Sequence, residues 1–172
     1  MSITNFLDHV IFNVPKGWPA PYALDKHATM QDGETIYKGM CMYLNSDAEF
    51  VAGLAPAAVG VIAHRNSVGS DVQPADAGGA TGGVMAGLVT TGGFEIEVSL
   101  YDDEQSYSPN DYLTAVNTGE DRGVITRGTP YVDTIIGVVS DGVLPPEDKR
   151  TAYSQSMLRF WTYHLPPTEV SS

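Results

Sequence analysis

The sequence predicts a mainly β fold: a compact β-barrel or β-tulip-like domain with an extended N-terminal arm and at most one short helix. Three observations predict it. From residue 39 onward, short runs of β-branched, aromatic and aliphatic residues alternate with turn chemistry. One run, Phe94-Glu95-Ile96-Glu97-Val98-Ser99-Leu100, alternates apolar and polar residues with the two-residue period of a strand. The composition has 18 Gly and 11 Pro but only 17% charged residues. Ordinary soluble domains carry roughly 25%, so turns and strands are favoured over exposed helices.

Residues 1–38 read as the arm. Pro15, Gly17, Trp18, Pro19 and Pro21 crowd together, which excludes a regular helix or a central strand. The same stretch holds Phe6, Leu7, Val10, Ile11, Phe12, Trp18 and Tyr22, too much large apolar surface for a solvated tail. The arm is therefore expected to dock, either on its own domain or on a neighbouring subunit. Phe6, Ile11, Phe12, Trp18 and Tyr22 are its candidate contact residues.

Residues 39–165 read as the β domain. Strands are expected over 40–44, 49–53, 59–63, 84–91, 94–100, 111–116, 123–126, 131–140 and 157–163. Gly92-Gly93 suggests a tight hairpin between the runs on either side of it. Asp141-Gly142 is expected to stop the run before it. Pro145 to Ser156 carries the one helix signal, with Pro146-Glu147-Asp148 as a plausible first turn. Residues 66–83 form a polar, Gly-rich loop, and residues 166–172 form a C-terminal tail.

Two parts of the domain resemble each other. Tyr43-Leu44 is followed by a polar tip and then by Gly60-Val61-Ile62-Ala63. Tyr112-Leu113 is followed by a polar tip and then by Gly137-Val138-Val139-Ser140. Both read as a strand, a hairpin tip, a second strand, a spacer and a Gly-Val-aliphatic-small segment.

The functional inventory points away from catalysis. Net charge is -12, from 9 basic and 21 acidic residues, and no Lys/Arg cluster occurs. Binding to nucleic acid or to an anionic membrane needs such a cluster. The single cysteine, Cys41, lies in an apolar run and reads as a buried small hydrophobe. His9, His27, His64 and His164 are scattered, without metal-ligand spacing. Gly78-Gly79-Ala80-Thr81-Gly82-Gly83 lacks the Lys of a phosphate loop. Asp102-Asp103-Glu104 lacks the spacing of a calcium loop. Glu95 and Glu97, about 7 Å apart on one strand face, are read as the exposed side of a half-buried strand. No enzyme, cofactor or metal is expected. The first residues lack the basic flank and apolar stretch of a signal peptide, and folding in a cytoplasm is expected.

Lys38 to Val143 resembles the head-decoration, or cement, proteins of tailed bacteriophages. The resemblance rests on a strand opening after a glycine at Lys38-Gly39-Met40. It rests also on the two Gly-Val-aliphatic-small segments, and on Val84-Met85-Ala86-Gly87-Leu88-Val89 followed by Gly92-Gly93-Phe94-Glu95-Ile96. It implies a β-barrel-like homo-oligomer, often a trimer, on the capsid exterior of the virion, where it reinforces junctions of the major capsid protein. The Pro-rich arm and the aromatic strand at 157–163 depart from that pattern. A tail or fibre-associated protein is an alternative, as is a carbohydrate-binding β module using Tyr101, Tyr107 and Trp161.

Overall fold

The computed structural model describes residues 10–13, 25–37, 39–66, 84–145 and 156–168. Among them the protein is mainly β, with no α-helix. The strands are β1 (Val10–Asn13), β2 (Asp25–Thr29), β3 (Cys41–Leu44), β4 (Phe50–Ala52), β5 (Val61–Asn66) and β6 (Val84–Val89). They continue with β7 (Glu95–Val98), β8 (Tyr112–Ala115), β9 (Ile125–Arg127), β10 (Ile135–Leu144) and β11 (Met157–Leu165). Residues 146–155, which hold most of the expected helix, lie outside the described residues, as do residues 67–83.

The strands form two antiparallel sheets. A five-stranded sheet has the order β2-β6-β5-β3-β4, and a six-stranded sheet has the order β1-β7-β11-β10-β8-β9. Without β1, the second order repeats the first: β2, β3, β4, β5 and β6 correspond to β7, β8, β9, β10 and β11. The registers repeat as well. Asp25↔Leu88 and His27↔Ala86 become Glu95↔Trp161 and Glu97↔Arg159. Met42↔Val61 becomes Leu113↔Gly137, and Leu44↔Phe50 becomes Ala115↔Ile125. Each sheet has a β-bulge at the same place, between Ala63 and Arg65 in one and between Val139 and Gly142 in the other, and the second has a further register shift between Ile135 and Gly137.

In each half, a residue just beyond β2 or β7 is bridged to β4 or β9 across the curled sheet. A parallel bridge joins Met30 to Phe50 in the first half, and its counterpart joins Tyr101 to Ile125 in the second. Gln31 N–H donates to the Phe50 carbonyl at 3.0 Å, as Asp102 N–H donates to the Ile125 carbonyl at 2.8 Å. The chain is thus a duplicated unit, two small barrel-like cylinders in tandem. The sequence repeat lies in the right strands but out of register. Tyr43-Leu44 does not match Tyr112-Leu113, because Met42 is the counterpart of Leu113; and Val61, not Gly60, is the counterpart of Gly137. A one-residue slip would put inward side chains outside, so burial fixes the correspondence.

The interior agrees. Met42, Phe50, Ala63 and Met85 line the first cylinder, and their counterparts Leu113, Ile125, Val139 and Leu158 line the second; all are buried. At one pair of sites the halves exchange large for small. A Cβ on Gly87 would lie 2.6 Å from Val61 Cγ1, whereas a Cβ on Gly137 would lie 2.5 Å from Phe160 Cδ2. Val61 corresponds to Gly137, and Gly87 to Phe160. Each wall has one glycine with the opposing side chain laid over it.

Three expectations are corrected. Val84–Val89 and Glu95–Val98 do not form a hairpin; they belong to different sheets. A 3-10 turn over Thr90–Gly92 and a left-handed Gly93 (φ 66°) carry the chain between the two halves. Asp141-Gly142 does not end β10, because the bulge absorbs the two extra residues Ser140 and Asp141 and Gly142 (φ 87°) lets the ladder resume opposite Arg159. Of the stretch expected as an arm, residues 25–37 supply β2 and the buried Met30 and Ile36, while Val10–Asn13 adds to the edge of β7.

Gly137→Ala is expected to destabilise the protein by about 1–3 kcal/mol in urea unfolding, because the new methyl collides with the Phe160 ring. Adding Phe160→Leu should recover part of that loss; additive losses would contradict the packing described.

Candidate functional site

Among the described residues, those singled out in the sequence lie apart in the fold. Ile11 and Phe12 lie in β1, opposite Glu97 and Ile96 of the same chain. Phe6, Trp18 and Tyr22 lie outside the described residues, as do His9 and Gly78 to Gly83. His27 is exposed on β2. His164 lies on β11 with Nδ1 buried and without a hydrogen-bond partner, and burial lowers its pKa. Among the described residues, no group of three or more His, Cys, Asp or Glu is placed to hold a metal ion.

Cys41 is fully buried, and its backbone N–H donates to the Gly123 carbonyl at 2.7 Å across the seam between the cylinders. Burial pushes its thiol pKa up to about 12. A thiol reagent at pH 8 should therefore leave the native protein unlabelled and modify one thiol once urea unfolds it; rapid labelling of the native state would show that Cys41 is open to solvent.

Glu97 corrects the reading of Glu95 and Glu97 as an exposed face. It is 3% exposed, and Arg159, directly across on β11, donates through Nε to Glu97 Oε1 at 2.8 Å. Arg159 also donates to Asp141 at 2.7 Å. Burial alone would depress the Arg159 pKa, but the bonds to Glu97 and Asp141 outweigh it and raise it above the ordinary value. The carboxylate is thus committed to an ion pair. Its partner was hard to find in the sequence, because 62 positions separate the two residues. Arg159→Met should cost about 3–5 kcal/mol, and Glu97→Leu with Arg159→Met should recover most of it in thermal or urea unfolding.

The three aromatics of the glycan reading also diverge. Tyr101 is buried and meets Tyr107 edge to face, with ring centroids 5.7 Å apart. The Tyr107 hydroxyl donates to the Asp102 carbonyl at 2.9 Å. Burial raises both phenol pKa values. Trp161 alone is exposed, on β11.

Two openings are lined by described residues. The first, of about 300 Å³, is acidic and is lined by Asp102, Asp103, Glu104, Glu120 and Asp121. Asp102 is already engaged: one carboxylate oxygen accepts from Glu104 N–H at 3.2 Å and the other from the Thr126 hydroxyl at 3.1 Å. The second, of about 360 Å³, is apolar, lined by Leu44, Ala58, Val59, Val61 and Val89 with Lys26 at its rim. It is an end of the first cylinder. The corresponding positions of the second cylinder, including Ile96, Ala115, Ile135 and Thr162, are buried, and Phe160 fills the space beside them. Sequence reading missed this opening because its residues come from four separate segments, and nothing local marks them as neighbours. One opening offers an acidic lining and the other an apolar one.

No protein-family model matches the chain, and no curated protein and no solved structure matches it.

Proposed function

We propose that this protein is a structural component of a virion, a decoration or cement protein that binds the outer surface of a phage head and reinforces junctions of the major capsid protein. The observation that carries the reading is that the stretch resembling such proteins, Lys38 to Val143, supplies most of both cylinders, β3 to β10. Two rigid β units in tandem, fused along an apolar seam, provide two separate surfaces that can bridge neighbouring subunits. Such a role asks for shape, stability and repeated weak contacts, which gain strength by avidity on a lattice. The net charge of -12 fits a protein kept away from nucleic acid and anionic membrane. The partner in this reading is the major capsid protein, with the decoration protein assembled as a trimer.

Copy number per particle tests the proposal. Quantitative mass spectrometry of purified virions should find hundreds of copies in simple ratio to the major capsid protein. A handful of copies would move the protein to the tail or a vertex, and absence would end the virion reading. Removing residues 1–22 should abolish binding to undecorated capsids while leaving the near-UV spectrum of the cylinders intact. Unchanged saturation by the truncated protein would remove the arm from the binding surface.

A further inference from the structure

The duplication sets two equivalent sheet edges side by side for comparison, and they are not treated alike. In the second half, β7 pairs on one side with β11 and on the other with β1. Val10, Ile11, Phe12 and Asn13 stand opposite Val98, Glu97, Ile96 and Glu95. In the first half, β2 is the counterpart of β7, and residue for residue Ala28, His27, Lys26 and Asp25 match Val98, Glu97, Ile96 and Glu95. Among the described residues, β2 pairs with β6 alone, and only Met30 beyond its end is bridged to Phe50. Lys26, His27 and Thr29 are exposed. A sheet edge of this kind is a template for an added strand.

We infer that the β2 edge takes the Val10–Asn13 segment of a second copy of this chain, in the register that the segment already uses on β7. Two independent observations meet there. The equivalent ladder already accepts this segment. The same register would also set Phe12 of the second copy opposite Lys26, the residue at the rim of the apolar opening lined by Leu44, Val59, Val61 and Val89. Residues directly opposite in an antiparallel pair share a face, so position 12 of the incoming segment stands on the same face as Lys26, beside that opening. In the second cylinder the matching space is filled by the chain's own Phe160, which is fully buried. The first cylinder has Gly87 at that position, and the aromatic group comes from the neighbour.

The exchange is balanced in backbone hydrogen bonds, since the segment leaves one ladder for its equivalent. The contact is heterologous, β1 of one copy on β2 of the next, so it propagates head to tail and closes where the rotation allows a ring. This inference stands independently of the capsid reading.

Cross-linking of full-length chains tests it. Phe12→Cys in one population and Lys26→Cys in another are mixed and mildly oxidised; the native Cys41 is buried and does not compete. Opposed residues of an antiparallel pair come within disulfide reach. The expected result is a disulfide between copies linking positions 12 and 26, about tenfold more abundant than for Phe12→Cys with His27→Cys, whose side chain points to the other face. Equal yields, or no link, would overturn the inference. Sedimentation of the unmodified chain serves as the second readout. Concentration-dependent association that disappears when residues 1–13 are removed supports the exchange, whereas a monomer at every concentration, or association that survives the deletion, overturns it.

Discussion

The apolar seam between the two curled sheets is the constraint on which the rest of the structure depends. Each curled sheet encloses only a handful of side chains, and part of its outer face is covered by the other half. Cys41, Leu54, Ile62 and Leu88 on the outside of the first cylinder join one apolar cluster with Phe94, Ile136 and the interior of the second. The seam is close enough to require glycine. A Cβ on Gly60 would lie 2.6 Å from Ile136 Cγ2, and one on Gly123 (φ +93°) would lie 2.9 Å from the Cys41 carbonyl. Backbone N–H groups also bond side chains across it, with Leu54 N–H donating to Asn117 Oδ1 at 2.7 Å and Ala57 N–H to the Thr134 hydroxyl at 3.1 Å.

Fusion along that seam has allowed the equivalent halves to differ. One cylinder fills its interior with Phe160 and buries an ion pair, Glu97 with Arg159, on its outer face. At the same outer positions the other has His27 and Ala86, and its wall carries Gly87 under Val61 and Met42. The first half is linked to the second by a further charge contact, Arg122 to Glu34 at 2.6 Å; the Glu34 side chain is almost enclosed and also accepts from Ala52 N–H. The differences concentrate at the ends of the cylinders. One end becomes an acidic mouth, another an apolar opening with a lysine on its rim.

Among the described residues, these ends carry the two openings of the molecule described above. The acidic mouth spends part of its charge on local turn hydrogen bonds through Asp102. The apolar opening lies next to a strand edge whose twin is occupied, which joins shape and backbone ladder in one place. A protein that works by adhering to a repeated surface, or to copies of itself, uses features of this kind.

Much of the fold was legible in the residues. The strict alternation from Phe94 to Leu100, the Gly and Asn turns and the β-branched runs located most of the strands, since strand period and turn chemistry are local properties. The duplication was visible only as two similar strings, displaced by one or two positions, because letters can match where burial does not. Arm residues such as Ile11 and Phe12 were marked as surface in search of a partner, but the ladder that receives them was not. By itself the sequence determined the β class, the acidic charge and the position of most strands, but not what Gly92-Gly93 and Asp141-Gly142 do. Only the tertiary structure decided which strands share a sheet, that Glu97 is buried against Arg159, and that Lys26, Leu44 and Val89 surround one opening, because each of these follows from contacts between residues far apart in the chain.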